Sequence, residues 1–167
     1  MSEISLIPMN ESHLQKTFEW LSDPFLRQQL DTLKTPTVDG NKVHWQQNFQ
    51  KTDRSDFAIL QGKNHVGNCG LKDICQHRKK SELWIYIPRK NDIGIGRRAL
   101  TLLLMYAFVE LAHYRVWLRV LKTNPSALAF YEKFGFIREG TFRADTWHRG
   151  QPIDSHLLSL LAPEFKK

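Results

Sequence analysis

The chain has 167 residues, 41% of them apolar and 11% aromatic, and a formal charge of +7. That length and apolar share suit one folded domain spanning residues 1–167 and exclude a disordered or collagenous polymer. The positive charge lies in short groups (Arg78-Lys79-Lys80, Arg89-Lys90, Arg97-Arg98, Lys166-Lys167) rather than in a tail, which favours a phosphorylated ligand over nucleic acid.

In chain order, Ile4, Leu6 and Ile7 suggest a first strand, and Asn10-Glu11-Ser12 reads as the start of a helix carrying Leu14, Phe18 and Leu21. Asp23-Pro24 restarts the chain into a short helix with Phe25, Leu26 and Leu30. Thr35-Pro36-Thr37 and Asp39-Gly40 then read as a loop before a helix over Val43 to Phe49. Strands follow at Asp56 to Gln61, Asn64 to Asp73 and Ser81 to Ile87, the first two joined by a hairpin turn at Gln61-Gly62-Lys63-Asn64. A helix from Gly96 to Ala112 leads to a strand, Arg115 to Leu121, in which Val116, Leu118 and Val120 alternate with Trp117 and Arg119. The crossover implies a parallel neighbour. Asn124-Pro125-Ser126 caps a helix over Ser126 to Phe134, Gly135 ends it, and Phe136-Ile137 opens another strand. A hairpin closes the chain: Phe142 to His148, a turn at Arg149-Gly150, then Ile153 to Leu161.

The apolar run from Ala99 to Ala112 falls short of the ~20 residues of a membrane span, and Met1-Ser2-Glu3 opens no secretory signal. Cys69 and Cys75 fit neither a redox pair nor a zinc site, and the histidines are scattered, so no metal is expected. A cytoplasmic protein that spans no membrane, as monomer or homodimer, is the expectation.

The segment from Trp84 to Arg98 carries the most chemistry. A strand-like run breaks at Pro88 into a basic loop punctuated by Gly94 and Gly96 and then opens a helix. Glycines let backbone N–H groups approach an anion, and a helix start favours negative charge. Arg89, Arg97 and Arg98 add full charges.

Asn91-Asp92-Ile93-Gly94-Ile95-Gly96 resembles the acetyl-CoA loop of the GNAT acetyltransferase superfamily, with Asn91 where the family pattern has a longer Gln or Arg. Asn124 to Phe136 (NPSALAFYEKFGF) is similar to the family's N-x-x-A-x-x-x-Y-x-K-x-G-F segment. The formal G-x-G-x-x-A of a dinucleotide fold is outweighed: the loop follows several antiparallel strands, and no acidic residue ends the strand Arg115 to Leu121. The resemblance implies an α/β fold with a mixed, mostly antiparallel sheet, flanked by helices and splayed beside the loop. Ile85, Ile87, Arg89, Asn91, Ile93, Gly94, Ile95, Gly96, Arg97, Arg98, Asn124, Ala127 and Phe130 would then meet acetyl-CoA.

In this family Tyr131 stands where a tyrosine protonates the departing thiolate, and Glu82 where a glutamate takes the amine proton. A core tyrosine and a surface glutamate are the competing readings. Trp20-Leu21-Ser22-Asp23-Pro24-Phe25-Leu26-Arg27 and His44-Trp45 resemble signatures of the Rim-type and amino-sugar branch. Trp20, Arg27, His44, Trp45, Trp84 and Trp147 are the substrate candidates, although tryptophan at helical spacing also serves packing. The expected activity is acetyl-CoA-dependent transfer to a primary amine, most of all that of a nucleotide-linked amino sugar. Alternatives are a protein or peptide amine, or a non-catalytic acyl-CoA-binding module.

Overall fold

The computed structural model describes residues 3–30, 37–88, 94–148 and 150–166. Seven strands form one sheet in the order β1-β2-β3-β4-β5-β7-β6, comprising β1 (Ile4–Pro8), β2 (Ser55–Gln61), β3 (Asn64–Cys75), β4 (Lys80–Tyr86), β5 (Arg115–Leu121), β6 (Ile137–His148) and β7 (Gln151–Leu161). Every neighbouring pair is antiparallel except β4–β5. That parallel pair is joined by α4 (Ile95–Met105), as a crossover requires.

Before the sheet's middle strands come α1 (Leu14–Leu21), α2 (Pro24–Gln29) and α3 (Val38–Phe49). Asp23 caps α2 by accepting the Phe25 N–H at 2.9 Å, with Pro24 at the first helical position, where its missing N–H costs nothing. The helix expected from Val43 begins five residues earlier, at Val38. The Thr37 hydroxyl accepts the Gly40 N–H at 3.0 Å and fills the space a Cβ on residue 40 would need, 2.7 Å away. Gly40 therefore belongs to the first turn of a capped helix and not to a loop.

The helix expected to run to Ala112 is α-helical only to Met105; Tyr106–Glu110 widens into a π-helical turn. After α5 (Pro125–Phe134), the strand pieces expected at Phe136 and at Phe142 are one continuous β6, interrupted by two bulges. In the larger bulge Arg143, Ala144 and Asp145 together oppose only Asp154. Ala144 takes the left-handed conformation (φ 50°), and its N–H donates to Asp154 Oδ1 at 3.0 Å.

Leu83 of β4, Val116, Leu118 and Val120 of β5, and Leu158 and Leu160 of β7 bury one face of the sheet against Ile95, Ala99, Leu100, Leu103 and Leu104 of α4, with Tyr131 and Phe136. On the other side of β4, Trp84 packs against a smaller cluster of Met9, Leu14, Trp45 and Ala58. Successive residues of β4 thus serve opposite faces, as strand geometry dictates. No helix among the described residues is long and apolar enough to cross a membrane.

Candidate active site

The parallel β4–β5 pairing stops early. Lys80, Ser81 and Glu82 face Arg115, Val116 and Trp117, and no register pair follows. Beyond Glu82, β4 stays hydrogen-bonded to β3, and β5 to β7, so the two strands diverge, and among the described residues their facing edges no longer pair. The gap is the floor of a cleft of about 680 Å³.

Ile85, Ile87, Gly96, Asn124, Ala127, Phe130 and Tyr131 line this cleft, so strand β4 and the starts of α4 and α5 converge on one space. Gly94, at φ 96°, turns the chain into α4 from the left-handed region, where glycine is favoured. A Cβ on Gly96 would sit 3.6 Å from Phe130 Cζ and 3.7 Å from Ile87 Cδ1, ordinary contact within the protein but inside the cleft wall. Asn124 Oδ1 accepts the Ser126 hydroxyl at 3.0 Å and the Ala127 N–H at 3.1 Å, which caps α5 and leaves its amide nitrogen uncommitted among the described residues. The Arg97 guanidinium lies over the Phe134 ring, 5.4 Å from its centroid. Arg89, Asn91 and Ile93 lie outside the described residues. Two glycines, two helix starts and an open strand edge fit a pantetheine diphosphate, whose phosphates favour helix N-termini.

Tyr131 is buried, its ring set edge-on against Phe130 and Phe136. Burial, with a smaller contribution from the neighbouring Cys69 thiol, pushes its hydroxyl well above the usual tyrosine range. The same interior pushes the Cys69 thiol up. Neutral OH and SH groups are therefore the stable forms in this environment.

Glu82 lies where the strands part and is only 5% exposed, which excludes the surface-glutamate alternative. Lys72 Nζ of β3 sits 3.1 Å from Glu82 Oε1, and Arg119 of β5 brings Nε and Nη2 to 3.5 Å from the same oxygen. Arg119 Nη1 also donates to both oxygens of Asp145, at 3.3 and 3.4 Å. All four of these residues line the cleft, together with Trp84, Tyr86, Ser155 and, in and beside α2, Asp23, Phe25, Leu26, Gln29 and Leu30. Ser155 Oγ is buried without a hydrogen-bond partner among the described residues.

The remaining substrate candidates are dispersed. Of the tryptophans, only Trp84 reaches the cleft. Trp45 is 4% exposed and packed under Trp84, ring centroids 6.0 Å apart. Trp147 is exposed near the end of β6, opposite Pro152. Trp20 lines a separate pocket of about 330 Å³ with Lys16, His65 and Pro88. Arg27 Nη1 donates to the carbonyls of Leu21 and Ser22 at 2.8 and 2.9 Å, closing the end of α1. His44 pairs with the Asn48 amide nitrogen at 2.9 Å, and burial followed by nearby Arg54 lowers its pKa. No motif in the sequence marks Lys72, Arg119, Asp145 or Ser155 for the site. Arg119 had a visible signal, a cation alternating with buried aliphatics on the strand parallel to β4. Asp145 had none, because the bulge that delivers it rests on the backbone of Ala144.

Among the described residues no group of three or more His, Cys, Asp or Glu side chains could hold a metal ion. A family model described as an acetyltransferase (GNAT) domain matches residues 3–137. An uncharacterized, prophage-derived N-acetyltransferase of Bacillus subtilis (strain 168) is 24% identical over 152 residues, covering 89% of this chain and 85% of its own. A putative ribosomal N-acetyltransferase of the same organism is 25% identical over 162 residues, covering 96% and 85%. The spermidine N-acetyltransferase of Vibrio cholerae, solved with CoA and spermine, superposes with a TM-score of 0.89 at 20% identity over 96% of both chains.

Proposed function

The chain belongs to the GNAT acetyltransferase family and is an acetyl-CoA-dependent N-acetyltransferase, and from this premise we propose that its acceptor is a primary amine on a neutral or anionic molecule, foremost a nucleotide-linked amino sugar. The observation that carries this choice is charge pairing in the cleft. Glu82 and Asp145 are already matched by Lys72 and Arg119, so a free polycation finds few uncommitted carboxylates there. Lys72 and Arg119, though paired, stay more exposed than their carboxylates and keep further N–H donors on the cleft for a phosphate on the acceptor. The net charge of +7 acts the same way at long range.

In this reading acetyl-CoA enters past Gly96, Ala127 and Phe130, and the acceptor enters over Glu82, Trp84 and α2. Glu82 takes the proton from the attacking amine, directly or through one water. The Tyr131 hydroxyl gives its proton to the departing sulfur. Burial keeps that hydroxyl protonated, so it carries a proton to give when the thiolate leaves. The open edge of β4 beyond Glu82 supplies backbone N–H groups for the thioester carbonyl.

A protein amine is the second reading, favoured by the 96% coverage of this chain by a relative named as a putative ribosomal N-acetyltransferase. Thiol release from acetyl-CoA should be followed with a nucleotide-linked amino sugar, a peptide amine and spermidine as acceptors. Fastest turnover of the amino sugar is expected. Preference for spermidine, the substrate named for a V. cholerae relative 28% identical over 104 residues, would overturn the charge argument. No thiol release with any acceptor in a broad amine panel would leave a non-catalytic acyl-CoA-binding module.

A further inference from the structure

The cations around Glu82 converge on one oxygen. Lys72 and two nitrogens of Arg119 approach Oε1, whereas no hydrogen bond reaches Oε2 among the described residues, and that oxygen is not sealed from the cleft. The Arg119 contacts, 3.3 to 3.5 Å, are long for charge-assisted bonds, which run to about 2.7–2.9 Å. One guanidinium is stretched between two carboxylates. Neither receives the parallel pair of bonds through which arginine ordinarily grips a carboxylate.

Asp145 is brought to Arg119 by a specific backbone device. Three residues of β6 bulge opposite Asp154, and Ala144 adopts a left-handed φ of 50° that non-glycine residues seldom take. The Asp154 carboxylate holds that turn through the Ala144 N–H. An uncommon conformation is thus spent on placing one carboxylate beside one arginine.

We propose that Asp145 is a positioning residue for the reaction: by engaging Nη1 of Arg119 it holds the guanidinium off Oε2 of Glu82 and keeps that oxygen open to the acceptor's proton. The proposal rests on the reading of Glu82 as the base. Without the Asp145 charge, Arg119 closes a two-bonded fork on Glu82 and ties up Oε2. Lys72 from β3 stays on Oε1, while the Asp23 carboxylate accepts the Phe25 N–H and the Tyr86 hydroxyl accepts the Asn68 amide, so neither competes for Glu82. With Arg119 also gone, nothing remains to close the fork.

The test is a set of four variants assayed with acetyl-CoA and the best acceptor: Glu82→Gln, Asp145→Asn, Arg119→Met and the Asp145→Asn/Arg119→Met double. Asp145→Asn should lower kcat about tenfold, a size typical of coupled neighbours, with KM for acetyl-CoA and Tm unchanged. At saturating acceptor the kcat of the double variant should exceed that of Asp145→Asn alone, even where loss of the Arg119 cation raises KM for the acceptor. A crystal structure of Asp145→Asn should show Arg119 forked on both Glu82 oxygens. Wild-type kcat in Asp145→Asn, or a double variant no faster than it while Glu82→Gln is inactive, would overturn the positioning role and spare the base. Full activity of Glu82→Gln would remove the base and the positioning role together. Should Asp145→Asn fold poorly, Asp145→Ala read against its own double with Arg119→Met decides the same question.

Discussion

Tyr131 packs as a core residue and lines the cleft as a functional one, and its hydroxyl is the only part of it that separates the two roles. Tyr131→Phe leaves the contacts with Phe130 and Phe136 in place and removes the proton donor. Acetyl-CoA affinity and Tm should hold while kcat falls by roughly 10² to 10⁴, the range for losing a general acid. Wild-type turnover would transfer the proton to water or to another group. Gly96 makes the complementary case for binding. Space for one methyl exists between Phe130 and Ile87, so Gly96→Ala should fold normally, but the branched side chain of Gly96→Val must project into the cleft. Its KM for acetyl-CoA should rise at least tenfold with the melting curve preserved, and calorimetric affinity equal to wild type would refute the cradle.

At the scale of elements the cleft exists because a parallel pair is released after three residues and each strand keeps its outer partner. Much of this is legible in the sequence: alternation in Arg115 to Leu121, the crossover helix and the capped start of α5 all follow from residue type and spacing. What is not legible depends on atoms far apart in sequence or on backbone angles. The early start of α3 turns on the Thr37 hydroxyl standing where Gly40 lacks a Cβ, and the bulges of β6 turn on Ala144 and on pairing with β7. The first bulge of β6 carries a testable ion pair. Both oxygens of Glu139 accept from the Arg115 guanidinium, and the Ser159 hydroxyl donates to Oε1, so the Glu139 carboxyl is held down at about 2, with Arg115 the main cause. A depressed carboxyl stabilises the fold above its unfolded value of 4.5 and loses that contribution as pH falls toward 2. Glu139 is partly exposed, so the effect is small. Glu139→Gln should lower Tm by about 1–3 °C at pH 7, with the deficit shrinking between pH 4.5 and 2. A deficit independent of pH would mean that shape and not charge is what the clamp contributes.

At the scale of the molecule, the charge of +7 on 167 residues treats the two substrates differently. A basic surface draws in the phosphates of acetyl-CoA and repels a polyamine, and both effects are screened once the Debye length drops from about 30 Å at 0.01 M to about 8 Å at 0.15 M. Glu82 is buried and its partner Lys72 only partly exposed, so the chemistry inside the cleft should respond less to salt than the encounter outside it. Raising ionic strength over that range should therefore raise KM for acetyl-CoA several-fold, leave kcat nearly constant, and lower KM for spermidine if it reacts at all. An anionic amino sugar should follow acetyl-CoA, with KM rising. A neutral peptide amine should show no slope, so the sign of the acceptor's salt dependence identifies its charge class before the acceptor itself is known. A flat KM for acetyl-CoA would show that recognition rests on the short-range contacts of Gly96, Asn124 and Ala127 and owes nothing to the field of the whole protein.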